Sequence, residues 1–349
     1  MAIHAARMAA LRGDFMLRVG LVGVGYLGTR HLNHLSTLEN VTVSAVWDIS
    51  PEALQTAANA FKVPAAASLD DLIAKSDAVV VVAPTTAHFE IGMAVIDAGK
   101  PLFIEKPICA TAAEGMALVE AGEAKNVPIQ VGHIERFNRG FRALKNLAIH
   151  PRFVEIHRLA QWNPRGGDVA VVHDLMIHDL DLLLTLAGCN PGSIHASGVG
   201  VVTPSIDIAN ARLEFPTGLV ANVTASRISL KQMRKLRLFG EHEYIALDLG
   251  KGTCEYVGAE MGFSNAPLGD LIPGVEILGE MEMGARRMRL FRRFPEAPEG
   301  DAMRLELSAF RDAVLNGSEP LVTGRDGLKA LELAEAILVK IKEGHHGFS

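Results

Sequence analysis

The first third of the chain alternates short apolar runs with amphipathic stretches. LRVGLVG (17–23), the β-branched VTVSAVW (41–47), DAVVVVA (77–83), PLFIE (101–105) and PIQVG (128–132) read as strands. DAVVVVA is apolar throughout, which suits a strand buried on both faces. The stretches between predict helices over about 26–38, 51–61, 88–98 and 111–125. Ser50 and Pro51 read as the N-cap and first residue of the second of these. Strand–helix alternation predicts an α/β domain over 17–132, a doubly wound parallel sheet covered on both sides.

The pattern then changes. A helix is expected near 135–147, an extended stretch over 152–160 and a strong helix over 169–187, where apolar residues recur at spacings of three and four. Five β-like runs follow, at 193–203, 206–215, 218–227, 233–240 and 243–249, two of them joined by the turn signal Pro216-Thr217-Gly218. Strands in succession without helices predict an α+β second domain, 133–300, with an open, mostly antiparallel sheet. Residues 251–299 read as irregular, and helices over 301–316 and 325–343 close the chain. No later helix is long enough to cover five strands, so a broad apolar sheet face predicts a homodimer or homotetramer.

Composition narrows the function classes. The length of 349 residues fits about two domains, and a net charge of −6 argues against nucleic acid as a partner. Cys109, Cys189 and Cys254 form no CxxC pair, which fits a reducing compartment and supports neither a disulfide framework nor a zinc site. No apolar run reaches the ~20 residues that span a bilayer. Residues 1–16 carry Arg7 and Arg12 without a continuous apolar core, so they read as a tail or an upstream start rather than a signal peptide. A cytoplasmic protein without a membrane partner is expected.

Three segments carry candidate chemistry. Gly23-Val24-Gly25-Tyr26-Leu27-Gly28 follows a strand and opens a helix, the context in which a GxGxxG turn holds a dinucleotide pyrophosphate. Asp48 ends the next strand, 20 residues after Gly28, where a carboxylate accepts ribose hydroxyls and repels a 2′-phosphate, favouring NAD over NADP. Pro84-Thr85-Thr86-x-His88 follows DAVVVVA at a strand's carboxyl end, the side that borders a ligand crevice; Thr85 and Thr86 are equally read as helix caps. Glu105-Lys106-Pro107 puts an ammonium at a strand end, suited to proton handling or to polarising a carbonyl, with Glu105 placed to hold it. Asp174 and His178 are four apart on a predicted helix, so a carboxylate can orient an imidazole as a base; Asp181 is a second possible partner, and a satisfied histidine at a domain interface is the plainer alternative. Too few ligands accompany this pair for a metal site. Arg286, Arg287, Arg289, Arg292 and Arg293 read as a solvated basic loop, with an anionic substrate or a neighbouring subunit as alternatives, and His345-His346 as tail.

In this order and spacing the motifs resemble the Gfo/Idh/MocA (glucose–fructose oxidoreductase/inositol dehydrogenase) family over about 17–343. The resemblance implies a Rossmann domain followed by an α/β domain whose sheet packs against another subunit, with the C-terminal helices returning to the first domain. It also implies NAD as cofactor. The pyrophosphate would lie on Gly23, Gly25, Tyr26, Leu27 and Gly28, the ribose on Asp48, and the rest of the cofactor beside Pro84, Thr85, His88, Glu105 and Lys106. Lys106, Asp174 and His178 would be catalytic, with the Lys106–Pro107 bond cis. VGHIERFN (131–138), 157–184 and 224–240 are similar to the branch that oxidises the 3-hydroxyl of UDP-N-acetylglucosamine ahead of the diamino sugar of lipid A. That likeness makes Arg136, Asn163, Arg165, Arg227 and Lys231, beside His178, candidate contacts for a sugar or nucleotide-sugar substrate, arginines suiting a diphosphate. The family's glycine run before the catalytic helix is shortened here to Gly166-Gly167-Asp168. An inositol or simple hexose dehydrogenase, a reductase and a non-enzymatic NAD-sensing protein are the alternatives. The presence of both Lys106 and His178 counts against the last.

Overall fold

The computed structural model describes residues 16–163, 169–262, 274–283 and 286–346. The chain divides into two compact units, residues 1–134 with 300–332, and residues 135–299 with 333–349. Among the described residues the strands form two sheets, one of five strands and one of nine.

In the first unit, β1 (Leu17–Val22), β2 (Val41–Trp47), β3 (Ala78–Val81), β4 (Leu102–Glu105) and β5 (Ile129–Gly132) lie in the order β2-β1-β3-β4-β5, every pairing parallel. All four residues of β3 are buried, as a strand covered on both faces requires. The intervening helices are α1 (Tyr26–Leu35), α2 (Pro51–Phe61), α3 (Leu69–Lys75), α4 (His88–Asp97) and α5 (Ala112–Lys125). Ser50 caps α2 through the Ala53 N–H, and Thr111 with Glu114 forms a reciprocal capping box on α5. α3 has no counterpart among the expected helices, although Ser68 caps it and Asp70 and Asp71 occupy its first turn.

The second unit contains β6 (Pro151–Leu159), α6 (Ile177–Ala187), β7 (Ser193–Val199), β8 (Ile208–Glu214), β9 (Val220–Ser226), β10 (Met233–Gly240), β11 (Glu243–Asp248), β12 (Thr253–Met261), β13 (Glu276–Met283) and β14 (Arg286–Arg293). The sheet order is β13-β14-β12-β11-β10-β6-β9-β8-β7, antiparallel except for β6 with β9. One face carries Val154, Ile156, Ala221, Val223, Leu236, Leu238, Ile245 and Leu247, all buried. Two expectations are corrected here. The described residues of 251–299 include three strands, β12, β13 and β14, in place of the expected irregular segment. The helix expected over 135–147 is a series of short turns, Ile134–Phe137, Arg139–Arg142 and Ala143–Asn146. Asn138 breaks it: its side chain accepts from Gly140 N and donates to Glu135 and Leu249 O, offering the backbone an alternative to a continuous helix.

Two helices complete the chain, α7 (Ala302–Asn316) and α8 (Gly324–His346). Met303, Leu307 and Phe310 of α7 join the core of the first unit. His345 and His346 belong to the end of α8. No helix among the described residues is long and apolar enough to cross a membrane. Cys109, Cys189 and Cys254 are free thiols, and burial pushes Cys109 and Cys254 up to about 12, leaving them protonated.

Candidate active site

The Gly-rich turn sits between β1 and α1. Gly23 has φ +89°, and a Cβ there would lie 2.5 Å from Val82 O; a Cβ on Gly28 would lie 2.0 Å from Gly23 O. Only glycine allows this turn to close against β3. Gly25 differs: a Cβ would meet nothing within 4 Å, and as N-cap of α1 it makes no side-chain bond. Gly25, Tyr26 and Leu27 are exposed, at the helix end whose dipole favours an anion. Asp48 ties the turn to the next element, accepting Val24 N at 2.8 Å through Oδ2 and Ser50 N at 2.8 Å through Oδ1. A tight glycine turn at an exposed helix start with a carboxylate beside it fits a dinucleotide.

The next two strand ends are joined by His88. Pro84 is exposed, Thr85 half-buried at the head of a 3-10 turn, and His88 is 1% exposed at the start of α4. The His88 ring stands between two carbonyls, Nδ1 2.9 Å from Pro107 O and Nε2 2.9 Å from Ala83 O. Burial lowers its pKa, while the two carbonyls and the Glu105 charge act the other way. The residue expected beside the cofactor is thus engaged with backbone. Glu105 accepts the Lys106 N–H at 3.1 Å and meets the buried His31 at 2.8 Å. Lys106 is half-buried, and the Lys106–Pro107 bond is cis.

Asp174 and His178, both half-buried, belong to the second unit. The uniform α-helix expected over 169–187 opens instead with a π-turn, Val172–Met176, which passes into α6 at Ile177. The wider turn changes the angular spacing between residues 174 and 178 from that of a regular α-helix. Ion pairs anchor this helix. Arg158, on a core-facing position of β6, makes two bonds of 2.7 and 2.8 Å to Asp179 and one of 2.8 Å to Glu135. Burial raises the Asp179 carboxyl above its ordinary value against the pull of Arg158. Burial would lower the Arg158 guanidinium, yet the Asp179 and Glu135 charges outweigh it and raise it. Two short bonds to a guanidinium that does not titrate keep the pair ionised.

Of the candidate substrate contacts, Arg136 gives both ends of its guanidinium fork to Asp181, at 2.8 and 2.6 Å, so Asp181 is engaged there. Arg227 is 4% exposed, 3.3 Å from Asp207, and donates to the carbonyls of Val169 and Ile206. Burial opposes ionisation of Asp207, but the N–H groups of Val202, Thr203 and Val201 and the Thr203 hydroxyl hold it down at about 2. Asn163 and Lys231 are exposed, and Arg165 with the Gly166-Gly167-Asp168 loop lies outside the described residues. Sequence reasoning missed His31, Glu135, Arg158 and Asp207. The usable signal was Arg158, a charge in phase with Val154 and Ile156 on the inward side of a strand, which requires a buried counter-charge. Among the described residues no cluster of three or more His, Cys, Asp or Glu could hold a metal.

Residues 17–133 match the model of an oxidoreductase family with an NAD-binding Rossmann fold, and residues 148–246 match that of the GFO/IDH/MocA C-terminal domain. UDP-N-acetylglucosamine 3-dehydrogenase from Acidithiobacillus ferrooxidans is 35% identical over 238 residues, 68% of this chain and 75% of that protein. The chain belongs to the Gfo/Idh/MocA family. A solved structure of the same Acidithiobacillus enzyme superposes with a TM-score of 0.80 at 28% identity, covering 94% of this chain and 99% of that one. Inositol 2-dehydrogenase from Cereibacter sphaeroides is 36% identical over 181 residues, 48% of this chain and 53% of that protein. As a Gfo/Idh/MocA member the protein is an NAD-dependent dehydrogenase acting on CH–OH groups.

Proposed function

We propose that this cytoplasmic enzyme oxidises the 3-hydroxyl of UDP-N-acetylglucosamine in amino-sugar metabolism, and that two copies pair through the open face of the nine-stranded sheet. The observation that carries the substrate is the extent of the likeness to the Acidithiobacillus enzyme, which spans 94% of this chain at a TM-score of 0.80. Gly23, Gly25, Tyr26, Leu27 and Gly28 hold the pyrophosphate of NAD, Asp48 the adenosine ribose, and Pro84, Thr85, Glu105 and Lys106 line the remainder of the cofactor. Bound NAD supplies the acceptor for the hydride that leaves the sugar carbon. His178 takes the hydroxyl proton, and Asp174 orients its ring. Lys106 stabilises the negative charge that develops on the oxygen. Loss of that proton and of the hydride leaves a ketone. Asn163, Arg165 and Lys231 contact the nucleotide sugar. Arg136 and Arg227 hold the surrounding backbone and the catalytic helix through Asp181 and Asp207.

A second reading, oxidation of inositol or a simple hexose, is favoured by that same commitment of Arg136 and Arg227, which removes two cations from a diphosphate. NAD reduction followed with UDP-N-acetylglucosamine, myo-inositol and free hexoses separates the two. Turnover with the nucleotide sugar and little with the others is expected; turnover with myo-inositol alone moves the assignment to the second reading. Lys106→Ala and His178→Ala should each lower kcat by roughly 10² or more, with NAD affinity nearly unchanged in His178→Ala. Full activity of His178→Ala would make that histidine a structural one.

A further inference from the structure

Two buried histidines that the reaction does not consume flank the Glu105-Lys106-Pro107 tripeptide. His31, on α1, is 0% exposed, and its Nε2 lies 2.8 Å from Glu105 Oε1. Among the described residues its Nδ1 has no hydrogen-bond partner. A buried N–H without an acceptor is costlier than a lone pair without a donor, so the ring proton that fits the site is the one on Nε2, donated to Glu105. The other Glu105 oxygen accepts the main-chain N–H of Lys106 at 3.1 Å. Packing holds the ring in place: His31 lies 5.6 Å from Phe103, which makes an edge contact with Phe310 at 5.8 Å. Glycine at 132 makes room for the carboxylate, since a Cβ there would lie 2.8 Å from Glu105 Oε2. On the other side of the lysine, His88 Nδ1 lies 2.9 Å from the carbonyl of Pro107.

We propose that His31 and His88 are positioning residues for Lys106, one holding its N–H through Glu105 and the other holding the carbonyl of the residue that follows. The inference rests on the reading of Lys106 as a catalytic group. A lysine is a point charge on a flexible four-carbon stem, so its ammonium is placed no better than the backbone beneath it. An error of about 1 Å at such a group costs up to about a hundredfold in rate. Neither histidine touches substrate; each acts through the tripeptide.

The test uses the full chain with His31→Leu, His31→Gln, His88→Asn, His88→Gln and Lys106→Ala. One readout needs no substrate: the rate at which acetic anhydride labels Lys106, measured by mass spectrometry against Lys100 and Lys125 of the same molecule. The second is kcat, with the KM for NAD and the melting temperature recorded beside it. His31→Leu should speed Lys106 labelling about threefold or more and lower kcat about tenfold or more, with the KM for NAD within about twofold. His31→Gln, which can place an amide donor near Glu105, should recover most of both. At 88 the amides separate the two contacts, of which a neutral ring can donate to only one. Asn keeps a donor toward Pro107 and should retain kcat; Gln keeps only the link to Ala83 and should lose it. Should His31→Leu fail to fold, the pair at 88 decides. Unchanged labelling and kcat in all four histidine variants, with only the melting temperature lowered, would overturn the proposal. Full turnover of Lys106→Ala would sink the catalytic reading of Lys106 and leave the positioning to be judged by the labelling.

Discussion

Asp48 gives one carboxylate oxygen to Val24 N and the other to Ser50 N, which fixes the group at the mouth of the Gly-rich turn. A 2′-phosphate brought beside it meets a like charge with few ways to move aside. NADP should therefore bind at least about tenfold more weakly than NAD, a difference of ~1.4 kcal/mol, and calorimetry with both cofactors measures it. Equal affinity would remove Asp48 from ribose recognition. His88 carries a pH signature of its own. Burial depresses its folded pKa although two carbonyls and the Glu105 charge pull upward. A depressed value in a base means that the unfolded chain takes the proton first. Its contribution to stability is therefore complete above the ordinary histidine value of about 6.5 and is lost as pH falls toward the lower folded value. The melting temperature of the protein should drop between about pH 7 and pH 5, and should drop less in His88→Asn. Equal slopes in the two proteins would mean that His88 is not the group responsible.

At the scale of elements, the arginine run shows how charge can conceal a strand. β14 lies between β12 and β13, each of which brings glutamates to it. Arg289 bonds Glu280 at 2.8 Å and lies 3.7 Å from Glu260 with its side chain 8% exposed, whereas Arg292, paired with Glu276 and Glu255, is 33% exposed. Burial decides which pairing matters. Arg289→Ala removes a buried stem and a charged hydrogen bond but leaves Glu280 and Glu260, 44% and 35% exposed, to water, so it should cost about 1–2 kcal/mol, while Arg292→Ala, screened by water, should cost less than about 1 kcal/mol. Denaturant unfolding of the two variants measures both, and equal losses would contradict this burial argument. The segment 172–187 follows a related logic, with Asp179 and Asp181 each held by an arginine from elsewhere in the second unit, so that helix is oriented by buried charge as well as by its apolar side.

At the scale of the whole molecule, the described residues of the second unit leave one sheet face partly exposed. Phe153, Phe239 and Tyr244 stack across three strands on that face, with centroids 5.8 and 5.0 Å apart. Strand pairing extends the face through Val257, Ala259 and Met261 on β12 and Met288 and Leu290 on β14. Aromatic and aliphatic side chains grouped on one sheet face favour a partner, and a self-complementary face satisfies itself across a two-fold axis. Light scattering at low micromolar concentration should give a mass of at least two chains, and Phe239→Glu with Tyr244→Glu should reduce it to one. A wild-type monomer would mean that the face is covered within the chain.

The sequence by itself determined the first sheet, because its strands are continuous apolar runs and its turns carry glycines with a single steric solution. It also determined the order of Gly23–Gly28, Asp48, Glu105-Lys106 and Asp174–His178, since each motif is local and tied to a strand end or a helix turn. Tertiary structure alone decided what the charged residues do. Arg136, Arg158 and Arg227 look alike along the chain, and only the fold turns them inward, onto Asp181, Asp179 and Asp207. His31 meets Glu105 across 74 residues, and Arg292 meets Glu255 across 37, separations at which no periodicity carries information. Local spacing fixes which face of an element a side chain occupies; the energy of a buried charge depends on what the rest of the chain places opposite that face.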